Sequence, residues 1–118
     1  MTETNPVVVE QAIRACSDRI AQGVIVCDKR YTAFLEADHA FDVAFAHAYM
    51  AHQGAAHEKK YAAEIATQAE RKARDVADAA YRFADRQAKA LEAELRSWQS
   101  VGASVRSMYA TAGVGVGR

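Results

Sequence analysis

The sequence predicts an all-α chain folded as a long antiparallel helical hairpin. Three observations predict it: an apolar stripe over residues 55 to 110, a second over residues 6 to 52, and one strong break between them at His52-Gln53-Gly54. In the longer segment Ile65, Ala69, Ala73, Val76, Ala80, Phe83, Gln87, Leu91, Trp98, Val101, Val105, Met108 and Tyr109 recur at spacings of three and four, and no proline interrupts them. A stripe of this period drifts by only about 20° every eleven residues on a straight helix, so Ile65, Val76, Gln87, Trp98 and Tyr109 are expected near one face. A helix this long does not bury such a stripe alone, and the rest of the chain reads as its partner.

Taken in order, the first helix starts at a cap. Asn5 suits the N-cap and Pro6 the first helical position, where the missing N–H has no partner to lose. Val9, Ile13, Cys16 and Ile20 give a helix over about 6 to 22. Gly23, followed by the β-branched run Val24-Ile25-Val26, predicts a kink or short break. Asp28 then reads as the cap of a helix over about 28 to 52, with Phe34, Ala37, Phe41, Ala44, Phe45 and Ala48 in one sector. Gly54 supplies the positive-φ residue that ends it.

A short connection makes neighbouring helices antiparallel. If the chain reverses at residues 53 and 54, Phe34 faces Ala73, Phe41 faces Ala66 and Phe45 faces Ala62, large residues against small ones. Ile20 then faces Gln87, Ile13 faces Glu94 and Val9 faces Trp98. Residues 1 to 112 form a single hairpin domain with its first arm kinked near Gly23, and the alternation of glycine in Ala112-Gly113-Val114-Gly115-Val116-Gly117-Arg118 predicts a flexible tail over 113 to 118. Phe83, Leu91, Trp98, Met108 and Tyr109 make a stripe wider than one partner helix covers, so a homodimer with four packed helices is expected, and these five residues are its candidate interface.

Composition bounds function. The chain of 118 residues carries 15 basic and 15 acidic side chains, and this balance argues against a general phosphate-neutralising protein. Charge is nonetheless uneven, because residues 1 to 54 hold four basic and seven acidic side chains and the remainder is correspondingly basic. Lys59, Lys60, Arg71, Lys72, Arg74, Arg82 and Arg86 read as a solvated face. Four acid-to-base pairs at i, i+4 support that helix locally: Glu70 with Arg74, Asp78 with Arg82, Asp85 with Lys89, and Glu92 with Arg96. As the alternative, Lys59, Lys60, Arg71, Arg74, Arg82 and Arg86 are candidate nucleic-acid contacts.

No catalytic residue, cofactor site or metal site is expected. Cys16 and Cys27 are too widely spaced for a CxxC pair and read as reduced, small apolar residues. Glu36 and His39 have the Glu-x-x-His spacing of di-iron bundles, with Glu70 opposite, but the helical phase turns both away from Phe41 and Phe45. His47, His52 and His57 read as exposed or turn residues. The amino-terminal residues lack a basic n-region and the apolar runs are too short to span a bilayer, which predicts a cytoplasmic protein.

The run Tyr31-x-x-Phe34-Leu35-Glu36-Ala37, the stretch Ala44 to Tyr49, Ala80-Tyr81, Lys89-Ala90-Leu91-Glu92-Ala93-Glu94-Leu95-Arg96-Ser97-Trp98 and Ser104-Val105-Arg106-Ser107-Met108-Tyr109 together resemble small helical-hairpin accessory proteins of tailed bacteriophages, encoded among early and recombination-associated genes. The resemblance covers residues 28 to 113 and carries over no catalytic residue. It implies a non-enzymatic protein-interaction role in the host bacterial cytoplasm, with a phage or host protein as partner. A DNA-associated recombination or replication accessory is the alternative, and a di-iron carboxylate protein a distant third.

Overall fold

The computed structural model describes residues 4–116, all helical apart from the first residues, the connection and one interruption. Three helices follow one another: α1 Pro6–Ala51, α2 Ala56–Ala66 and α3 Gln68–Val116. The fold is the all-α helical hairpin that the sequence predicts. The chain divides into two compact units, Met1–Val24 with Arg86–Arg118, and Ile25–Asp85.

α1 begins at the predicted cap. The Val8 N–H donates to Asn5 Oδ1 at 3.0 Å, and the Val9 N–H donates to the Asn5 carbonyl at 3.0 Å. The helix then runs to Ala51 without a break, where the sequence suggested two helices separated near Gly23 and a cap at Asp28. Val9, Ile13, Cys16, Ile20, Gly23, Cys27, Arg30, Phe34, Ala37, Phe41, Ala44 and Ala48 are all buried or half-buried. Their spacing alternates four and three throughout, a 3.5-residue repeat that keeps one seam toward a facing helix. Gly23 and Cys27 are members of that seam. Residues 24 to 26 lie off it and are exposed, so the weak helix formers interrupt nothing that packs. Beyond its own stretch of helix, nothing lies within 4 Å of the place a Gly23 Cβ would occupy.

Residues 52–55 connect α1 to α2, and Gly54 has φ +148°. A side chain there is strained by the backbone and would run into the Glu58 carboxylate, so the predicted role of glycine in this turn holds. Glu58 sits in the first turn of α2, where its charge complements the unpaired N–H groups.

A single helix over 55 to 110 was expected, and the structure interrupts it once, at Thr67. This residue has φ −113° and ψ 22°. Its hydroxyl donates to the Ala63 carbonyl at 2.6 Å, and its own N–H donates to the same oxygen at 3.1 Å. Such back-bonding by threonine loosens a helix locally. The Arg71 N–H still reaches the Thr67 carbonyl at 3.0 Å, so the helical phase carries through. α3 continues to Val116, beyond the expected end near residue 110 and through Gly113 and Gly115. Each glycine costs a helix only about 1 kcal/mol relative to alanine, which disfavours a helix without forbidding it. The flexibility expected of the last residues, 117 and 118, lies outside the described residues.

The seam of α3 departs from the predicted stripe. Glu70, Arg74, Ala77, Tyr81, Ala84, Ala88, Leu91, Leu95, Trp98, Gly102 and Val105 are buried or half-buried, again alternating four and three. Of the predicted stripe, Leu91, Trp98 and Val105 lie on this seam, whereas Ile65, Ala69, Ala73, Val76, Phe83, Gln87, Val101, Met108 and Tyr109 are exposed. The observed repeat is 3.5 residues whereas the eleven-residue pattern of the sequence implies about 3.67, and the two diverge steadily along the helix.

Within the unit Ile25–Asp85, the Arg30 guanidinium donates to the Ala80 carbonyl at 3.2 Å, and the Tyr31 and Tyr81 rings lie 5.1 Å apart. Arg74 lies over the Phe41 ring at 4.5 Å and 3.9 Å from Asp38. Within the other unit, Cys16 meets Leu91 at 3.2 Å, and a Cβ on Gly102 would come within 3.1 Å of Val9. The Cys16 pairing matches the predicted register. Most other contacts lie about one helical turn further along α3, because side chains on both antiparallel helices lean toward their own N-termini.

Two glycines give opposite predictions. Gly23→Ala fills open space inside a helix and raises stability by about 1 kcal/mol. Gly54→Ala forces a side chain onto positive φ and lowers stability by about 1 kcal/mol or more. Thermal melts followed by circular dichroism check both signs.

Candidate protein-docking surface

The seam uses one face of each helix, and what remains outside it is the candidate site. In the unit Ile25–Asp85, Ile65, Val76 and Phe83 are exposed by 70, 61 and 51%. Ile65, Ala69, Lys72, Val76, Ala79 and Phe83 are spaced four, three, four, three and four, so they form a second stripe with the period of the seam, on the opposite face of α2 and α3. A shallow open groove on this face is lined by Gln68, Arg71, Lys72, Asp75, Val76 and Ala79. Asp75 is 3.3 Å from Arg74. Neither Arg71 nor Lys72 has an ion-pair partner among the described residues, so the groove carries uncompensated positive charge.

The five sequence-predicted interface residues divide. Phe83, Met108 and Tyr109 are exposed, the last two by 67 and 52%. Leu91 and Trp98 sit half-buried on the α3 seam, where they pack within the chain. Phe83 belongs to one unit and the other four to the second, so they do not form one described patch.

The candidate nucleic-acid contacts divide as well. Lys59 lies 5.8 Å over the Tyr49 ring, Arg74 is engaged with Asp38, Asp75 and Phe41, and Arg82 donates to both Asp78 oxygens at 3.0 and 3.1 Å. Lys60, Arg71 and Arg86 are exposed. Half of the proposed stripe is therefore committed to internal partners. The Asp78–Arg82 pair is one of the four predicted, while Arg74 turns away from Glu70, across the hairpin. Glu70 itself lies on the seam, and its Oε2 is buried without a hydrogen-bond partner. Such an orphan costs about 1–3 kcal/mol, more when charged.

Glu36 and His39 are both exposed, and the intervening Asp38 is the residue that turns inward. Among the described residues no three His, Cys, Asp or Glu side chains gather where a metal ion could be held. No helix among them is long and apolar enough to cross a membrane. No family model matches the chain, and no curated protein or solved structure matches it.

The thiols are free, and they differ. Cys27 is half-buried. Cys16 is 2% exposed, its Sγ donating to the Leu91 carbonyl at 3.2 Å and to Glu94 Oε2 at 3.6 Å. Burial pushes the Cys16 thiol above its ordinary value, and the hydrogen bond and charge of Glu94 add to the effect against the opposing charge of Arg19. Only the thiolate is nucleophilic, so Cys16 is expected to alkylate far more slowly at pH 8 in the folded chain than in urea. Peptide mass spectrometry after timed alkylation reads this, and equal rates in the two conditions would contradict the placement.

Proposed function

We propose that this chain is a non-enzymatic protein–protein interaction module, an accessory protein of the kind its phage-like hairpin pattern resembles, acting in a bacterial cytoplasm. The observation that carries the reading is the second stripe of α2 and α3. Exposed large apolar side chains in helical register, outside the seam that folds the chain, are a surface for another helix. Ile65, Val76 and Phe83 are its anchors, and Arg71 and Lys72 give it a preference for acidic partners. Met108 and Tyr109 offer a separate exposed pair near the end of α3. A DNA-binding role is the weaker reading, because Lys59, Arg74 and Arg82 are already engaged and the whole chain is charge-neutral.

The test places a photo-crosslinking residue at Val76 or Phe83 in one set of cells and at Glu92 in another. Protein adducts are expected at positions 76 and 83 and not at 92. Phe83→Asp, at a half-exposed position, is expected to abolish the adduct at 76 while leaving the melting temperature within a degree or two. Adducts absent from both stripe positions, or as abundant at position 92, would overturn the reading.

A further inference from the structure

The unit Ile25–Asp85 carries a second exposed apolar face, on α1, of opposite charge to the first. Leu35, Val43 and Met50 are exposed by 47, 42 and 76%, away from the α1 seam. Beside them Glu36 and Asp42 are exposed, and neither has an ion-pair partner among the described residues. On α2 and α3, Val76 lines the groove that holds the unpaired Arg71 and Lys72, and Phe83 is exposed seven residues further along the same stripe. Each face lies opposite the seam of its own helix, so the two look outward from opposite sides of the helix pair within this unit.

We infer that the occupant of the α2–α3 stripe is the α1 face of a second copy of this chain, an inference that rests on the interaction reading above. The spacing supports the match. Val43 and Met50 are seven residues apart, as are Val76 and Phe83, so a parallel alignment of α1 from one copy on α3 of another seats both pairs together. In that alignment Glu36 falls level with Ala69 and Asp42 level with Asp75, on either side of Arg71 and Lys72, and Asp75 is itself already engaged by Arg74. Two unpaired anions come beside two unpaired cations, and the two aligned apolar pairs leave water together. Because the faces are opposite rather than shared, the contact is head to tail. Such a contact leaves a free face at each end and adds copies without closing at a dimer.

Two charge-reversed chains test it by sedimentation velocity at low salt. Arg71→Glu with Lys72→Glu makes both faces acidic, and Glu36→Lys with Asp42→Lys makes both basic. Wild type is expected to associate with rising concentration beyond a dimer and to dissociate in molar salt. Each variant alone is expected to stay monomeric, with its circular dichroism unchanged. A mixture of the two is expected to associate, because reversed faces complement each other again. A wild type that stays monomeric at millimolar concentration, a wild type that stops at a dimer, or a mixture that stays monomeric would overturn the inference. Adducts at positions 76 and 83 with other proteins would still stand in those cases, so the two proposals fail separately.

Discussion

The constraint on which the structure depends is a continuous seam along each long helix. Isolated helices gain little from propensity alone, and a helix of this length persists because it buries one line of side chains along its course. In α1 that line runs from Val9 to Ala48, with Gly23 as its one step without a side chain, and the burial on both sides of it explains why Gly23 and three β-branched residues leave the helix intact. In α3 the line includes Ala84 at 3% exposure and Gly102, small residues that let a facing backbone come close. Polar members are tolerated where they find partners. Arg30 caps a carbonyl, Arg74 stacks on Phe41, and Cys16 behaves as a small apolar residue with a weak donor.

The same constraint creates the surface. A two-helix packing satisfies one face of each helix, and any further apolar side chain is left outside. On α2 and α3 these residues recur with the seam's own spacing, so the helices carry two parallel apolar lines where folding needs one. Charge then separates the outer faces. The acidic bias of residues 1 to 54 and the basic bias of the remainder, which have no local meaning in the sequence, become Glu36 and Asp42 on one side and Arg71 and Lys72 on the other. On the interaction reading proposed above, that separation favours a helix of opposite charge over a general anion.

The first arm was largely legible. The cap at Asn5, the seam members Val9, Ile13, Cys16, Ile20, Phe34, Phe41 and Ala48, and the turn at Gly54 all follow from local chemistry. The long arm was harder to read because alanine carries little information about phase. Ala69 and Ala73 face solvent while Ala84 and Ala88 are enclosed, and nothing in the side chain distinguishes them. Glu70 and Arg74 mislead in another way: charged residues read as solvated, and their places on the seam emerge only when Ala63, Thr67, Ala77 and Tyr81 are aligned at four and three. Thr67 gave no conventional break signal, since its effect comes from a hydroxyl returning to its own helix. Gly102 has no side chain to mark its phase in the sequence, and its meaning is the nearness of Val9.

Amide hydrogen exchange along α1 tests the seam most directly. If one uninterrupted helix is held by one uninterrupted line of burial, the amides of residues 20 to 30 exchange as slowly as those of residues 12 to 19 and 31 to 40. A window of fast exchange at residues 23 to 27, between two protected segments, would contradict it and restore two separate helices in the first arm.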